Sequence, residues 1–345
     1  MDNAAQTEKI GSLDRLYEVV AERNLAPLWT MKGALTPEPA TKMVPFLWRY
    51  AEVKDLITQA GGLISAHDAE RRVLAFRNPG ADPHEIARTT DLLWAAVQLV
   101  LPGEVAPAHR HTAAALRFII EGEGAYTTVD GVTQPMDRGD VVLTPNWSWH
   151  EHGHHGGTPM LWLDGLDLPM VHSMRLVFAE FTGAPDGPPK TGEPSGSGDA
   201  LLPTWPDAPA VKPLVYKLAA VEAVLDRLRD EPGSPYDDLI VEYRDPTANG
   251  PVLPTMSAYM QLLRPGVQTR AHRHSSSAVY HVVRGTGRTV IGDTVIDWAP
   301  GDTFALPTWA VHQHANPTDD DALLFSFSDA PSVAALGLLR TSDEV

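Results

Sequence analysis

Short runs of alternating apolar and polar residues, separated by turn residues, occupy most of the chain between about residues 92 and 181. Runs such as LRFIIEGEG, AYTTVDGV and DVVLTP have the period of two that places alternate side chains on opposite faces of a β-strand. Asp130-Gly131 marks a hairpin between two of these runs. The spacing of strands and turns predicts an all-β region folded as a sandwich or a barrel.

Helical patterns lie outside this β region. Residues 13–23 (LDRLYEVVAER) carry an apolar stripe, and RYAEVKDLITQAGG predicts a short helix that ends at its glycines. A third helix is predicted in KLAAVEAVLDRLRD, with Leu218, Val221, Leu225 and Leu228 on one face. Residues 183–213 are dense in proline, glycine and serine, which predicts a linker.

The β region is repeated after this linker. SAYMQLLRPGVQTRAHRHSSSAVYHVVRGTG aligns with WAAVQLVLPGEVAPAHRHTAAALRFIIEGEG at a constant offset of 163 residues, and a one-residue deletion later GDTFALPTWAVHQH aligns with GDVVLTPNWSWHEH. Duplication over this length predicts two homologous β domains in tandem. We therefore expect an N-terminal helical and irregular arm over 1–60, a first β domain over 61–182, a linker and helix over 183–235, and a second β domain over 236–345.

The composition narrows the function. The formal net charge is −17, so the surface repels nucleic acid and anionic membranes, and an anionic substrate needs a locally positive pocket. The absence of cysteine excludes disulfides and thiolate ligands and is compatible with a reducing compartment. The sequence shows neither a signal peptide nor an apolar stretch of 18 residues. We expect a soluble cytoplasmic protein.

Three histidines predict a metal site in the first β domain. His109 and His111 are two residues apart, so on a strand they share one face, and His150 can approach the same ion from an adjacent strand. Three imidazoles leave coordination positions open, which suits a catalytic metal better than a structural one. The repeat carries a possible second metal site, made of the equivalent residues His272, His274 and His312.

The motifs around these histidines resemble those of the cupin family. Gly103-x5-His109-x-His111 and Gly139-x5-Pro145-x-Trp147-x2-His150 correspond to the two cupin motifs, and their presence twice in one chain is typical of a bicupin. The resemblance implies two tandem jelly-roll β-barrels. The glutamate ligand usual in cupins is absent, because Ala115 and Ala278 stand in its place.

The absence of the glutamate ligand is similar to what is found in gentisate 1,2-dioxygenase and its salicylate-cleaving relatives. The same enzymes are resembled by three further segments of the chain, ERRVLAFRNPG, ALRFIIEGEGAYTTVDG and WLDGLDLP. The resemblance implies Fe(II) held by three histidines, with a small aromatic hydroxy acid and O2 as substrates. The expected reaction opens gentisate between its carboxyl-bearing and ortho-hydroxyl-bearing carbons to give maleylpyruvate. A 5-substituted salicylate such as 5-nitrosalicylate, salicylate itself and 1-hydroxy-2-naphthoate are rival substrates for the same reaction.

Two further side chains are predicted to face the metal. Arg117 lies six residues beyond His111, so strand alternation turns it toward the metal, where a guanidinium suits a substrate carboxylate. The alternative for Arg117 is a structural ion pair. His152 lies two residues beyond His150 and is a candidate acid, base or hydrogen-bond donor, with structural hydrogen bonding as its alternative. We expect the first domain to be the catalytic one, because Tyr280 replaces the arginine in the second.

Four more residues complete the predicted site. Asp164 is a candidate to orient His152 or Arg117, against a role in capping a turn, and its equivalent in the repeat is Ser326. Arg71 and Trp94 match substrate-contacting positions of the resembling enzymes, and Ala96 is a candidate to set the room around the ring. Plain core packing is the alternative for Trp94. The histidines at 154 and 155 are expected in a solvated turn.

A non-catalytic bicupin that stores or senses a metal-bound ligand is the rival from a different class of protein. Imidazole ligands alone do not select among Mn, Fe, Co, Ni and Zn. We expect a homo-oligomer, with dimer and tetramer both open, and the tryptophan-containing arm at residues 24–50 is a candidate contact.

Overall fold

The structure is a computed structural model that describes residues 10–65, 68–69, 71–181 and 214–344. The linker predicted at 183–213 lies outside the described residues. Within the described ranges the chain forms five α-helices and 23 β-strands. The helices are α1 (Leu13–Glu22), α2 (Tyr50–Leu63), α3 (Leu168–Ser173), α4 (Leu218–Arg227) and α5 (Ala330–Ala335).

The strands fall into two series, one before and one after the predicted linker. The first series is β1 (Phe46–Trp48), β2 (Val73–Ala75), β3 (Trp94–Val100), β4 (Val105–His111), β5 (Ala115–Glu121), β6 (Ala125–Val129), β7 (Val132–Met136), β8 (Val141–Thr144), β9 (His150–His154), β10 (Met160–Leu166) and β11 (Ala179–Glu180). The second series is β12 (Val215–Tyr216), β13 (Leu239–Asp245), β14 (Gly250–Pro251), β15 (Ser257–Leu263), β16 (Arg273–His274), β17 (Ala278–Arg284), β18 (Gly287–Ile291), β19 (Thr294–Trp298), β20 (Thr303–Leu306), β21 (His312–Ala315), β22 (Ala322–Ser328) and β23 (Thr341–Ser342).

The chain divides into two compact units, residues 1–40 and residues 41–345. In the first unit, α1 begins at Ser12, whose hydroxyl accepts a hydrogen bond from the backbone N–H of Arg15 at 3.2 Å. The loop after α1 returns to the helix, where Trp29 Nε1 donates to the hydroxyl of Tyr17 at 3.3 Å. Everything that follows concerns the second unit.

Two antiparallel β-barrels make up the second unit. The N-terminal barrel combines a six-stranded sheet, in the order β12-β8-β5-β10-β3-β2, with a five-stranded sheet, β11-β4-β9-β6-β7. The C-terminal barrel combines a seven-stranded sheet, β1-β20-β17-β22-β15-β13-β14, with the smaller sheets β19-β18-β21 and β16-β23. The prediction of an all-β chain with two tandem barrels is confirmed.

The backbone repeats as the sequence does. Gly103 and Gly266, aligned at the offset of 163, both have a positive φ, 80° and 73°. Trp147 and Trp309 share a rarer left-handed conformation, at 62° and 64°. Equivalent positions therefore adopt equivalent conformations, which supports duplication of a complete barrel.

The large sheets of the two barrels pack against each other through their outer faces. Strand alternation places Phe118 of β5 and Phe325 of β22 on these faces, and their rings stack with centroids 4.6 Å apart. A single core of buried apolar residues from both barrels surrounds this contact. The inner faces of the same strands form separate and smaller apolar clusters.

Each barrel includes one strand that comes from the segment preceding the other barrel in the chain. β1 pairs with β20 of the C-terminal barrel, and β12 pairs with β8 of the N-terminal barrel. Asp302 and Asp140 fix these segments. Asp302 accepts from Arg49 at 2.7 Å and from the N–H of Tyr50 at 2.9 Å. Asp140 accepts from Lys217 at 2.6 Å and from the N–H of Leu218 at 3.2 Å.

The glycine before each of these aspartates allows the segment from the other half of the chain to approach the barrel closely. Gly139 and Gly301 have φ of 84° and 87°, and a Cβ on either residue would lie 2.3 Å from Leu218 or 2.4 Å from Tyr50. The Gly-Asp pair of each repeat thus contacts the N-terminal end of a helix from the other half of the chain: Gly139-Asp140 contacts α4, and Gly301-Asp302 contacts α2. Residues 46–60, assigned by the sequence to an arm, pack within the unit that contains both barrels.

Two buried aspartates tie the barrels together in the same reciprocal way. Asp167 accepts from the N–H of Ala114 at 2.8 Å and from the hydroxyl of Thr255, in the other barrel, at 2.6 Å. Asp329 accepts hydrogen bonds from the N–H of Ser277 at 2.7 Å and from the Ser277 hydroxyl at 2.6 Å. The Ser277 hydroxyl is also hydrogen-bonded to the hydroxyl of Thr90, in the N-terminal barrel, at 2.6 Å.

No helix within the described ranges is both long enough and apolar enough to span a bilayer.

Replacing Thr255 by valine is expected to lower the free energy of unfolding by about 1–2 kcal/mol, because it leaves one oxygen of the buried Asp167 carboxylate without its donor at nearly constant volume. Urea denaturation followed by circular dichroism measures the change. Thr294→Val, at an exposed position of β19, is the control and should differ little from the wild type. Equal loss in both variants would contradict the assignment of an inter-barrel bond.

Asp329 is expected to make stability depend on pH. Burial raises the pKa of Asp329 to about 7, so the folded chain keeps a proton that the unfolded chain has released above pH 4. Its contribution to stability therefore declines as the pH rises from about 4 to about 7, by up to about 1.4 kcal/mol per pH unit.

The measurement is the free energy of unfolding of the wild type and of Asp329→Asn at pH 5, 6 and 7. The wild type should lose stability relative to the variant as the pH rises. Parallel curves would show that Asp329 titrates at its ordinary pKa in the folded chain.

Candidate metal centre

His109, His111 and His150 lie together on the five-stranded sheet of the N-terminal barrel. His109 and His111 are in β4, and His150 is the first residue of β9, where it pairs directly with His109. One ring nitrogen from each residue lies within 4.8 Å of the other two. The ring centroids are 3.9 Å apart for His109 and His150, 4.9 Å for His111 and His150, and 5.2 Å for His109 and His111.

Hydrogen bonds determine which nitrogen each of two rings presents. Nδ1 of His111 donates to the carbonyl of Ala113 at 2.8 Å, and Nδ1 of His150 donates to the carbonyl of Ser148 at 2.9 Å. Because a carbonyl only accepts, each Nδ1 carries the proton and each Nε2 keeps a free lone pair. Nε2 of His150 is buried without a hydrogen-bond partner. An orphaned acceptor inside a cluster of imidazoles fits a metal ligand.

Burial also keeps these rings neutral. It lowers the pKa of His109, His111 and His150, in the case of His111 to about 4, and the nearby arginines lower it further. Neutral imidazoles are the form that binds a metal, so no proton competes for these lone pairs near neutral pH. The donor set therefore fits a divalent transition-metal ion with coordination positions left open.

Arg117 and Asp164 form an ion pair inside the barrel. They are direct neighbours on β5 and β10, with Arg117 Nε 3.1 Å from Asp164 Oδ1, and both are at most 4% exposed. Nη1 of Arg117 donates to the hydroxyl of Thr144 at 2.6 Å, and Trp162 Nε1 donates to Asp164 at 3.1 Å. Burial raises the pKa of Asp164 to about 6, while Arg117 opposes that shift. Of the two candidate partners of Asp164, the structure places Arg117 beside it.

Strand register aligns two more predicted residues with this pair. Ala96 pairs with Asp164 on the side opposite Arg117, so the three side chains form one row on the inner face of the sheet. Trp94, two residues earlier on the strand, points to the same face and is partly buried. Trp162, two residues before Asp164 on β10, lies in the apolar cluster of the same inner face.

Arg71 contacts the histidines from the side. Its Nη2 donates to the carbonyl of Pro107 at 3.2 Å and lies against Nδ1 of His109. Arg71, predicted to contact the substrate, is thus adjacent to the histidine cluster.

His152 is only 1% exposed, with its ring 5.8 Å from that of His150 and edge-on to Trp162 at 5.4 Å. Neither of its nitrogens has a hydrogen-bond partner among the described residues.

Sequence reasoning missed two residues and misplaced a third. Thr144 holds Arg117, and its position next to Pro145 on an alternating strand was a usable signal. Phe181, whose ring is nearly parallel to that of His109 at 6.3 Å, follows the barrel strands and had no such signal. The expectation of a solvated turn at His154 was wrong, because His154 is buried in β9 and bonds to the carbonyl of Thr158.

The two barrels define a bicupin, and their histidine clusters fit metal binding. The family model described as "Cupin domain" matches residues 96–166 and 259–328. A 5-aminosalicylate 1,2-dioxygenase from Comamonas sp. is 40% identical, over 95% of this chain and 89% of that protein. A gentisate 1,2-dioxygenase from Aquipseudomonas alcaligenes is 37% identical, over 94% of this chain and 95% of that protein.

A solved structure of salicylate 1,2-dioxygenase from Pseudoaminobacter salicylatoxidans with gentisate superposes with a TM-score of 0.84. It is 32% identical and covers 99% of this chain and 96% of its own. The chain belongs to the bicupin family of ring-cleaving dioxygenases that includes the gentisate and salicylate 1,2-dioxygenases.

His150→Ala is expected to reduce metal binding by the N-terminal barrel by at least tenfold, because it removes one of three ligands and the lone pair that no other described group satisfies. Competition with a chromophoric chelator measures the affinity. His155→Ala, at an exposed position five residues away, is the matched control and should bind as the wild type does. Unchanged affinity in His150→Ala would place the ion elsewhere.

Proposed function

We propose that the chain is an Fe(II)-dependent dioxygenase that opens gentisate with O2 between its carboxyl-bearing and ortho-hydroxyl-bearing carbons, giving maleylpyruvate. The observation that carries the proposal is the buried Arg117 guanidinium, which is close enough to the three imidazoles for its charge to lower the pKa of each. Relatives that span nearly the whole chain act on gentisate or on a salicylate, which supports this substrate class.

His109, His111 and His150 would hold the ion. Bound Fe(II) would supply Lewis-acid chemistry toward the substrate oxygens and electron transfer to O2. Because the three rings are neutral, they leave the charge of the ion undiminished. An anionic hydroxybenzoate is thereby favoured, although the chain as a whole carries a formal charge of −17.

Arg117 would bind the substrate carboxylate. A guanidinium has five N–H donors in a rigid fork, and the contacts with Asp164 and Thr144 engage two of its three nitrogens. Asp164 and Thr144 thus hold the fork in one orientation and leave donors for a planar carboxylate. Asp164 would act here as a positioning residue.

His152 would donate a hydrogen bond to the substrate or to O2 in the site. Burial lowers the pKa of His152 well below its ordinary value, so the ring is neutral and offers one N–H donor and one acceptor. A ring with so low a pKa is a poor base, which favours the hydrogen-bonding role over proton removal.

Trp94, Ala96 and Arg71 would form the walls around the ring. Ala96 is fully buried in the row with Asp164 and Arg117, and its methyl group is the smallest side chain of that row. Its size would set the distance at which the aromatic ring rests on the sheet. Trp94 would pack against one edge of the ring, and Arg71 would add positive charge beside His109.

The same reaction on a 5-substituted salicylate is the second candidate. The 40% identical relative, which acts on 5-aminosalicylate, favours it. Gentisate and 5-aminosalicylate differ only at the 5-position, so Arg117 and the histidines would hold both in the same way.

A comparison of substrates tests the proposal. The chain is loaded with Fe(II) without oxygen, and gentisate, 5-aminosalicylate, 5-nitrosalicylate and salicylate are supplied separately with O2. We expect O2 uptake with gentisate and a product with the absorbance of maleylpyruvate. Uptake only with the 5-aminosalicylate arm would transfer the assignment to the second candidate. An iron-loaded chain that consumes no O2 with any of the four would support the non-catalytic alternative.

Arg117→Lys is expected to raise the KM for gentisate about 10–100-fold, because a lysine keeps the charge but loses the bidentate geometry, worth about 1.5–3 kcal/mol. Iron content should stay at the wild-type level. Arg288→Lys, at the exposed position of β18 in the other barrel, is the control and should leave KM unchanged. Loss of iron together with activity would show that Arg117 supports the metal ligands rather than the substrate.

A further inference from the structure

The C-terminal barrel repeats the histidine cluster almost unchanged. One ring nitrogen each of His272, His274 and His312 lies within 4.8 Å of the other two. The ring centroids are 4.2 Å apart for His272 and His312, 5.0 Å for His274 and His312, and 5.7 Å for His272 and His274. The corresponding distances in the N-terminal barrel are 3.9, 4.9 and 5.2 Å. The geometry that fits a metal is therefore present twice.

The hydrogen bonds that orient the rings are repeated as well. Nδ1 of His274 donates to the carbonyl of Ser276 at 2.9 Å, and Nδ1 of His312 donates to the carbonyl of Ala310 at 3.1 Å. Each Nε2 therefore keeps its lone pair. Nε2 of His312, a residue 1% exposed, is buried without a hydrogen-bond partner, as is Nε2 of His150. A buried acceptor with no donor is unfavourable unless a cation occupies the cluster.

The surroundings of this second cluster differ from those of the first. The row formed in the N-terminal barrel by Ala96, Asp164 and Arg117 is replaced by Tyr259, Ser326 and Tyr280, which pair in the same register. A phenol thus stands where the guanidinium stands in the first barrel. Tyr280 is buried, its ring stacked on Phe304 at 4.9 Å.

The cavity beside the second cluster is acidic. It has a volume of about 370 Å³, and His272 and His274 open onto it. The described residues that line it include the carboxylates of Asp237 and Glu242 but neither lysine nor arginine. Glu242 is partly compensated by Arg244, 3.7 Å away and outside the lining. The cavity therefore attracts a cation and repels an aromatic carboxylate.

We propose that His272, His274 and His312 bind a second divalent transition-metal ion, in a cavity that keeps the ion but excludes anionic hydroxybenzoates. The ion would take water or neutral oxygen ligands in its open positions. The duplicated barrels would then carry two metal sites of the same ligand set, of which only the one beside Arg117 accepts a carboxylate. The proposal concerns metal binding and holds whatever substrate the first site takes.

The experiment counts ions in the full-length chain. Apo-protein prepared with a chelator is dialysed against Co(II), and bound metal is measured by atomic emission together with the visible Co(II) absorption. We expect two equivalents in the wild type, one in His312→Ala, one in His150→Ala and none in the double variant. His274→Gln, which keeps a side chain of similar size, should also bind one equivalent, and circular dichroism checks that each variant is folded.

Gentisate distinguishes the two sites without any turnover. Without oxygen, it should change the Co(II) absorption of the wild type and of His312→Ala, and leave that of His150→Ala unaltered. One equivalent in the wild type, lost entirely in His150→Ala, would overturn the second metal site. A change in the His150→Ala spectrum would overturn the exclusion of carboxylates. Two equivalents without any effect of gentisate would refute the proposed function while leaving the second metal site intact.

Discussion

The packing of the two large sheets against each other is the constraint on which the rest of the structure depends. It buries the outer face of each sheet, where Phe118 stacks on Phe325, so that the largest apolar core of the molecule lies between the barrels rather than within them. The inner faces of the barrels therefore do not need to supply most of the hydrophobic stabilisation. They can carry polar groups that an isolated barrel of this size would need to replace with apolar ones.

What the inner faces carry differs between the barrels although their backbones agree. A buried ion pair such as Arg117 with Asp164 costs desolvation that its own attraction barely offsets, so it is weak evidence for a role in stability. The second barrel has Tyr280 and Ser326 at these positions and keeps the same register. The scaffold therefore does not require the charges. Their presence in one barrel alone is best explained by chemistry at that site.

The local parts of this structure could be predicted from the sequence, and the long-range parts could not. Strand alternation and the exact repetition of two motifs were enough to predict that His109, His111 and His150 lie together. The pairing of β1 with the C-terminal barrel and of β12 with the N-terminal barrel could not be predicted from the sequence. β1 has three residues and β12 two, too few for a periodic signal. For Asp164 the sequence offered Arg117 and His152 as partners without a choice between them, since β3, β10 and β5 adjoin in an order that the chain does not follow.

Because each barrel includes a strand from the segment that precedes the other barrel, the two barrels must be completed in a fixed order during synthesis. Asp302 and the arginine that it binds, Arg49, are 253 residues apart in the chain, whereas Asp140 is 77 residues from Lys217. On the ribosome the N-terminal barrel can close as soon as the start of α4 has emerged. β1 must instead wait, unpaired, until β20 has been made. A three-residue strand is too short to serve as a template for aggregation, so its brevity protects the nascent chain during that wait.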